Sequence, residues 1–284
     1  MDQKDKIIAT LALIFIGLGL LLIFQVQSLG KLRLVACDVG QGDGLLLITP
    51  SGKEMVIDGG PGLKIIDCLS QKMPFWDRTI ELVVLTHPQK DHLEGLIEVL
   101  ARYKVKMIAT TGVKNDTEVF AAWQKAVETE KAKIYVPRAG DRLILDKVEM
   151  DVLWPTVGRL DFWKASSPKE LNESSIVLRL GYGGFCVYLT GDLPKEILQG
   201  LIDQSCQVLK ISHHGSKTGT NQGIIESASP AVAIIQVGKN SFGHPHKEVV
   251  DLLVSKGVKI LRNDINGIIE VDSDGKSFWA KSEK

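Results

Sequence analysis

The chain has 284 residues, and its 34 lysines and arginines balance its 34 aspartates and glutamates. A chain of this length buries a large core, either as one big domain or as two small ones. Because the formal net charge is zero, no general basic field recruits nucleic acid, and any phosphate binding must be local.

The first predicted element is a membrane-spanning helix. Ile7 to Phe24 contains no charged residue, and this is about the length that crosses the hydrocarbon core as a helix. A secretory signal peptide is the alternative, but residues 25–30 offer a poor cleavage site. We therefore predict an uncleaved, single-pass anchor over residues 1–30, and residues 7–24 are the only candidate span in the sequence.

From Lys31 onward, apolar strand-like runs alternate with helical patterns, which predicts one α/β domain over residues 31–284. Strands are predicted at 32–37, 45–49, 55–57, 82–85, 105–108, 133–136, 143–145, 148–153, 176–180, 186–189, 208–211, 232–237, 259–261, 268–271 and 278–280, and helices at 63–69, 93–102, 119–127, 194–202, 223–227 and 247–254. The strands fall into two successive groups, each interleaved with helices. This pattern predicts two sheets packed face to face with helices outside.

One connection is irregular. Residues 154–171 are rich in serine, proline and charge and contain Trp154, Phe162 and Trp163. The segment is either a mobile loop over a site or a connection pinned by its aromatic residues, and the pattern favours neither.

The four cysteines are Cys37, Cys68, Cys186 and Cys206. They show no Cys-x-x-Cys spacing, and Cys37 and Cys186 lie inside apolar runs. We predict buried small hydrophobic residues rather than disulfides or thiolate ligands.

Polar residues gather where apolar strands end. His87, Asp91 and His92 follow the apolar run 82–85, on a strand-to-helix loop where a rigid scaffold can hold side chains in a fixed array. Imidazoles and carboxylates are good ligands for zinc or manganese. An ordinary polar loop is the alternative, but all six histidines of the chain lie in three such strand-end loops. This distribution favours a metal site.

Seven motifs occur in the order seen in metallo-β-lactamase-fold hydrolases: 38–43 (DVGQGD), 57–60 (IDGG), 86–92 (THPQKDH), 172–178 (NESSIVL), 190–192 (TGD), 210–216 (KISHHGS) and 240–245 (NSFGHP). More narrowly, residues 32–271 resemble the extracytoplasmic hydrolase domain of ComEC-type competence proteins. The resemblance implies an αββα sandwich with metal bound at one edge of the two sheets.

Carried over by position, the resemblance also implies the ligands. His87 would bind a first metal, and Asp91 and His92 would bind a second. Asp192 would bridge the two ions, and His244 would supply the last ligand.

The resemblance gives further residues a supporting or catalytic role. His213 and His214 would complete the coordination or protonate the leaving group, and the Gly-Ser turn at Ser216 would offer a backbone N–H to a phosphate oxygen. Asp43 and Asp58 are expected behind the ligands or at the substrate, and Asp58 would orient an imidazole by accepting its second N–H.

Two positions depart from the wider pattern. Gln89 stands where the fold has histidine and the competence relatives commonly have aspartate, and Asn172 stands near another common histidine. A carboxamide oxygen is a weaker ligand than imidazole and carries no charge. On the His87 side, Gln89 is the further candidate ligand. We therefore expect the first metal, bound by His87, to be held more weakly than the second. We expect one or two divalent ions, zinc or manganese.

The resemblance implies a membrane-anchored, extracytoplasmic, metal-dependent hydrolase. A phosphodiesterase or nuclease acting on single-stranded DNA during uptake is the main expectation, together with a separate protein that forms the channel. A small-molecule hydrolase for lactones or lactams is one alternative, because the fold does not fix the substrate. A binding domain that has lost full activity is another. Metal content and a substrate panel separate these three classes.

Overall fold

The computed structural model describes residues 2–28, 30–156 and 167–284, with only the backbone described at residues 18 and 20–28. The first element is a helix, α1 (Gln3–Ser28). In the described part of the chain, no helix combines the length and the apolarity needed to cross a membrane. Phe162 and Trp163, two of the aromatic residues noted above, lie outside the described residues.

The first sheet has eight strands in the described residues. They are β1 (Leu32–Ala36), β2 (Gly44–Ile48), β3 (Glu54–Gly59), β4 (Thr79–Leu85), β5 (Lys104–Thr110), β6 (Lys133–Tyr135), β14 (Ile269–Ser273) and β15 (Phe278–Ser282). Their spatial order is β15-β14-β1-β2-β3-β4-β5-β6. The central strands β3, β4 and β5 pair in parallel, and the apolar sequence of β4 suits a strand that is covered on both faces.

The second sheet has seven described strands. They are β7 (Arg142–Leu145), β8 (Val148–Trp154), β9 (Val177–Tyr182), β10 (Phe185–Leu189), β11 (Val208–Lys210), β12 (Val232–Ile235) and β13 (Lys259–Arg262). Their spatial order is β13-β12-β11-β10-β9-β8-β7, and β10, β11, β12 and β13 run parallel to one another. The carboxyl ends of these strands therefore meet at one edge.

The remaining helices are α2 (Lys64–Lys72), α3 (Lys90–Arg102), α4 (Glu118–Glu130), α5 (Pro168–Glu173), α6 (Lys195–Leu198), α7 (Gln222–Ala228), α8 (Lys247–Ser255) and α9 (Asn263–Asn266), with a 3₁₀ helix at Ser212–Gly215. Helices α5 and α9 and the 3₁₀ helix were not predicted. Each is six residues or shorter, too short to show a clear helical period.

Three apolar clusters give the predicted αββα layers. One cluster, with Leu34 and Val187, lies between the sheets, and Leu96 of α3 belongs to a second on the outer face of the first sheet. Leu253 of α8 belongs to a third on the outer face of the second sheet. The two-sheet arrangement predicted from the sequence is confirmed.

The prediction for the cysteines is wrong. Cys37 forms a disulfide with Cys68, and Cys186 forms one with Cys206. The Cα atoms of the two pairs lie 5.8 and 5.0 Å apart, within the range that a disulfide spans. The partners are separated by 31 and 20 residues in the sequence. Only the packing of α2 on β1, and of the segment before β11 on β10, reveals the pairing.

Candidate metal centre

The strand ends bring the predicted site residues together. Asp58 closes β3, His87 follows β4, Asp192 follows β10, and the two histidines of the 3₁₀ helix follow β11. The two sheets are joined here, because the Ile176 N–H donates to the carbonyl of Thr86 over 3.0 Å. Loops from both sheets therefore share one edge.

The loop before β2 packs directly on the start of α3. The Asp43 N–H donates to the carbonyl of Asp91 over 3.2 Å. Gly42 has a φ of +149°, and a Cβ there would collide with the same carbonyl. Glycine is therefore required for this close approach, which places Asp43 beside the first turn of α3.

Four side chains form the centre of the site. Asp91, His92, Asp192 and His214 each offer one ligand atom, and these atoms lie within 4.8 Å of one another. Asp192 Oδ2 lies 3.3 Å from His92 Nε2 and 3.3 Å from His214 Nε2. His214 Nε2 lies 3.4 Å from Asp91 Oδ2. We name this set the metal cluster.

Several inward-facing atoms of the metal cluster are buried without a hydrogen-bond partner in the described part of the chain. They include Nε2 of His92 and of His214 and both carboxylate oxygens of Asp192. Buried polar atoms are normally paired, so such a group needs an explanation. Two imidazole nitrogens and carboxylates converging on one point fit a divalent cation.

Asp58 lies next to the ring nitrogen of His92 that faces away from the metal cluster. Its Oδ2 lies 2.8 Å from His92 Nδ1, and its two oxygens also accept hydrogen bonds from the N–H and hydroxyl of Thr86. Asp58 is buried and has a φ of +56°, a strained conformation for a residue other than glycine. This arrangement directs His92 Nε2 into the metal cluster.

His214 is held in the same manner by the second sheet. Its Nδ1 lies 3.0 Å from the carbonyl of Gln236 and 3.2 Å from Asp43 Oδ1. Asp43 is in turn paired with the ammonium of Lys210. Lys210 donates to the carbonyl of Gly191 over 2.9 Å and lies 3.8 Å from Asp192 Oδ1. This buried lysine offsets part of the negative charge of the site.

The carboxylates and imidazoles shift one another's pKa values strongly. Burial opposes the charged form of His92, but Asp192 and Asp58 outweigh it and hold the pKa of His92 well above its usual value. Burial would raise the pKa of Asp192, yet His214 and His92 hold it well below its usual value. Burial lowers the pKa of His87 to about 3. The imidazole of His87 is therefore uncharged at neutral pH.

His87 lies next to the metal cluster rather than in it. Its ring centroid is 4.1 Å from that of His92. Its Nδ1 lies 3.1 Å from Thr86 Oγ1 and 3.3 Å from Ser175 Oγ. Its Nε2 is buried and unpaired among the described residues. A second ion on this side would therefore have fewer ligands than the first.

His213 and His214 occupy different environments, although they are neighbours in sequence. Both have a positive φ, 53° and 55°, and such conformations concentrate at functional sites. His214 points into the metal cluster, whereas His213 lines a cavity of about 700 Å³. His213 Nδ1 lies 3.3 Å from Thr218 Oγ1, and its Nε2 lies 3.4 Å from Asn172 Nδ2. His214 is thus the better placed ligand, and His213 faces the cavity.

Gln89 lies at the rim of the site. Its amide nitrogen donates to Asn172 Oδ1 over 2.6 Å and to the carbonyl of Pro168 over 2.9 Å. Asn172 in turn contacts His213. Gln89 is therefore connected to His213 through Asn172.

His244 and Ser216 were also predicted at the site. His244 is not part of the metal cluster, but its ring lies 5.5 Å from that of His213 and 6.4 Å from that of His214. The Ser216 N–H donates to the carbonyl of His213 over 2.8 Å. Ser216 closes the turn that carries the two histidines.

From the sequence we assigned no role to Lys210, Gln236, Thr86 or Ser175. Lys210 had a detectable signal, since a lysine inside an apolar strand needs a buried partner. The other three contact the imidazoles through packing of separate segments, which no sequence spacing reveals.

No protein-family model matches the chain. Curated relatives include ComE operon protein 3 of Bacillus subtilis, 31% identical over 260 residues, which cover 82% of this chain and 32% of that protein. Competence protein ComA of Neisseria gonorrhoeae is 30% identical over 118 residues, 39% of this chain and 17% of that protein. The chain therefore spans about a third or less of these relatives.

Among solved structures, the metallo-β-lactamase fold protein YhfI from Bacillus subtilis superposes with a TM-score of 0.57 at 12% identity, over 84% of this chain and 99% of that one. This similarity establishes the fold. The chain therefore has the metallo-β-lactamase fold, and its sequence is similar to part of ComE operon protein 3 and of competence protein ComA.

Proposed function

We propose that the chain hydrolyses phosphodiester bonds of single-stranded DNA, with a divalent cation held by Asp91, His92, Asp192 and His214. The unpaired buried atoms of the metal cluster are the observation that carries this proposal. A cation there would polarise the phosphoryl group and neutralise charge that develops in the transition state. The relationship to competence proteins supports DNA as the substrate.

The residues around the metal cluster have distinct tasks. Asp58 and Asp43 orient His92 and His214. Hydrolysis adds water across a P–O bond, so one proton must reach the departing oxygen. We assign this transfer to His213, which lines the cavity: as a neutral imidazole it would take the proton that the attacking water releases and pass it to the departing oxygen.

The His87 side would hold a second, weaker ion. His87 Nε2 is buried and unpaired among the described residues, and His244 would approach from the rim. Two ions would clamp the attacking and leaving oxygens together. Manganese and zinc both suit such a mixed imidazole and carboxylate donor set.

The experiment is an assay of the full chain in detergent on end-labelled single-stranded DNA, with manganese or zinc and after chelation. We expect metal-dependent cleavage, which Asp192→Ala abolishes together with metal binding. Asp251→Asn is the matched control, because Asp251 is exposed and pairs with Lys247 on the surface of α8.

Three outcomes would contradict the proposal. Cleavage of a β-lactam or lactone instead of DNA would indicate a small-molecule hydrolase. Tight metal binding without any hydrolysis would indicate a binding domain. Metal-independent cleavage of DNA would show that the metal cluster is not the active site.

Membrane attachment through residues 7–24 is part of the same proposal. The sequence there is uncharged, and apolar side chains of α1 such as Leu13 and Phe15 are exposed, by 70% and 72%. Both disulfides favour an oxidising compartment outside the cytoplasm. DNA would then reach the cytoplasm through a separate channel protein.

The test of attachment is fractionation of cells. The full-length chain should stay in the membrane fraction after a carbonate wash and should keep its amino-terminal methionine. Recovery of a shorter, soluble chain that begins near residues 28–31 would show that a signal peptide was removed instead.

A further inference from the structure

Phe242 is an exposed aromatic residue at the rim of the cavity beside the metal cluster. Its side chain is 67% exposed, and its ring lies 5.7 Å from the ring of His244. It lines the same cavity of about 700 Å³ as His213.

The loop that carries Phe242 is tightly held. Asn240 Oδ1 accepts hydrogen bonds from the N–H groups of Phe242 and His244, each over 3.0 Å. Asn240 Nδ2 donates to the carbonyls of Gly238 and His244, each over 2.8 Å. The exposure of Phe242 therefore results from a fixed loop conformation and not from a loose chain end.

The surroundings of Phe242 suit a single flat ring more than an apolar partner protein. The other apolar residues of the cavity wall are Pro168 and Pro194, and its charged residues are Lys169, Asp91 and Glu196. A protein-docking surface would need a contiguous apolar patch of a few hundred square ångströms. A single exposed aromatic ring beside a site for phosphodiesters matches the way in which proteins hold unpaired bases.

We propose that Phe242 stacks on a nucleobase of the single-stranded DNA substrate and positions the adjoining phosphodiester at His213. This inference rests on the proposed function and assigns the determinant of substrate class to one residue. Stacking tolerates any base, since every base presents a π-face. It requires an unpaired strand, because the bases of a duplex are already stacked on one another.

The test compares binding of two fluorescein-labelled oligonucleotides, an oligo-dT and an abasic strand of the same length. Fluorescence anisotropy is measured on the full chain in detergent with EDTA, so that no turnover is needed. Phe242→Ala should weaken binding of oligo-dT about tenfold, and Phe242→Trp should preserve it. Binding of the abasic strand should be the same in all three proteins.

Phe75→Ala is the matched control. Phe75 is 75% exposed but precedes β4, whereas the site follows the other end of that strand. Its loss should leave both affinities unchanged. Unchanged binding of oligo-dT by Phe242→Ala would overturn the inference, as would an equal loss on the abasic strand. Full affinity in Phe242→Leu would show that apolar contact, and not stacking, is responsible.

The two proposals can fail separately. If the wild-type chain cleaves DNA while Phe242→Ala binds normally, only the inference about Phe242 is wrong. If no cleavage occurs but Phe242→Ala weakens binding of oligo-dT alone, the nuclease activity is wrong and the stacking site stands. If the wild-type chain neither binds nor cleaves single-stranded DNA, both are wrong.

Discussion

At the scale of single residues, Asp58 determines how His92 is presented to a metal ion. One carboxylate oxygen lies 2.8 Å from His92 Nδ1, while both oxygens also bond Thr86. Asp58→Asn should weaken the affinity for manganese or zinc by about 10- to 100-fold, because the imidazole becomes less basic and less well oriented. Competition with a fluorescent chelator measures this. An affinity equal to that of Asp251→Asn would contradict the assignment.

Substitution of Gln89 tests whether the His87 side of the site binds a second ion weakly. Its amide nitrogen donates to Asn172 and to Pro168. Gln89→Asp should bring the number of ions per chain nearer to two at low metal, because a carboxylate adds a negative charge at the rim of the site, two residues from His87 in the sequence. Gln89→Leu removes the same hydrogen bonds without adding a ligand and is the matched control. Elemental analysis of the purified chain counts the ions, and equal counts in the two variants would refute the prediction.

At the scale of elements, the strands were the most predictable part of the fold. The sequence shows both the apolar run that forms β4 and the polar residues after it. A strand buried on both faces is almost entirely apolar, whereas the loop that follows it is polar. The ligands themselves were proposed from motif order. The network behind them was not predicted, because Thr86, Ser175 and Gln236 meet the imidazoles only after the sheets pack. The disulfides were missed for the same reason.

Strand β3 also carries a buried carboxyl group at the end far from the metal cluster. Burial raises the pKa of Glu54 to about 8, and Asp77 and Glu81 add to the effect. The folded chain therefore keeps this proton up to about pH 8, whereas the unfolded chain releases it near about pH 4.3. The resulting stabilisation is complete below about pH 4.3 and is lost as the pH rises through about 8.

Glu54→Gln should remove this pH dependence, because glutamine stays neutral. Between about pH 5 and about pH 9, the free energy of unfolding should fall on the order of a few kcal/mol more in the wild-type chain than in the variant. Urea unfolding at several pH values measures the difference. Glu128→Gln, on the exposed face of α4, should behave as the wild type does. Parallel curves for all three proteins would refute the buried, protonated state.

At the scale of the whole molecule, the site exists only because the two sheets share an edge. The first sheet supplies His92 and Asp91, and the second supplies Asp192 and His214. Two-sheet packing was predictable from the alternation of strands and helices, and the convergence of the histidines from their strand-end positions. The sequence could not show that His214 enters the metal cluster while His213 faces the cavity. That difference depends on two successive residues with positive φ.

The central claim is that Asp91, His92, Asp192 and His214 bind a divalent cation. Anomalous diffraction from crystals of the chain soaked in manganese or zinc locates such an ion directly. We expect a strong peak bounded by these four side chains, with ligand distances of about 2.0–2.2 Å for zinc, and a weaker peak beside His87. A soaked crystal with no peak at the four side chains, or with its strongest peak elsewhere, would contradict it.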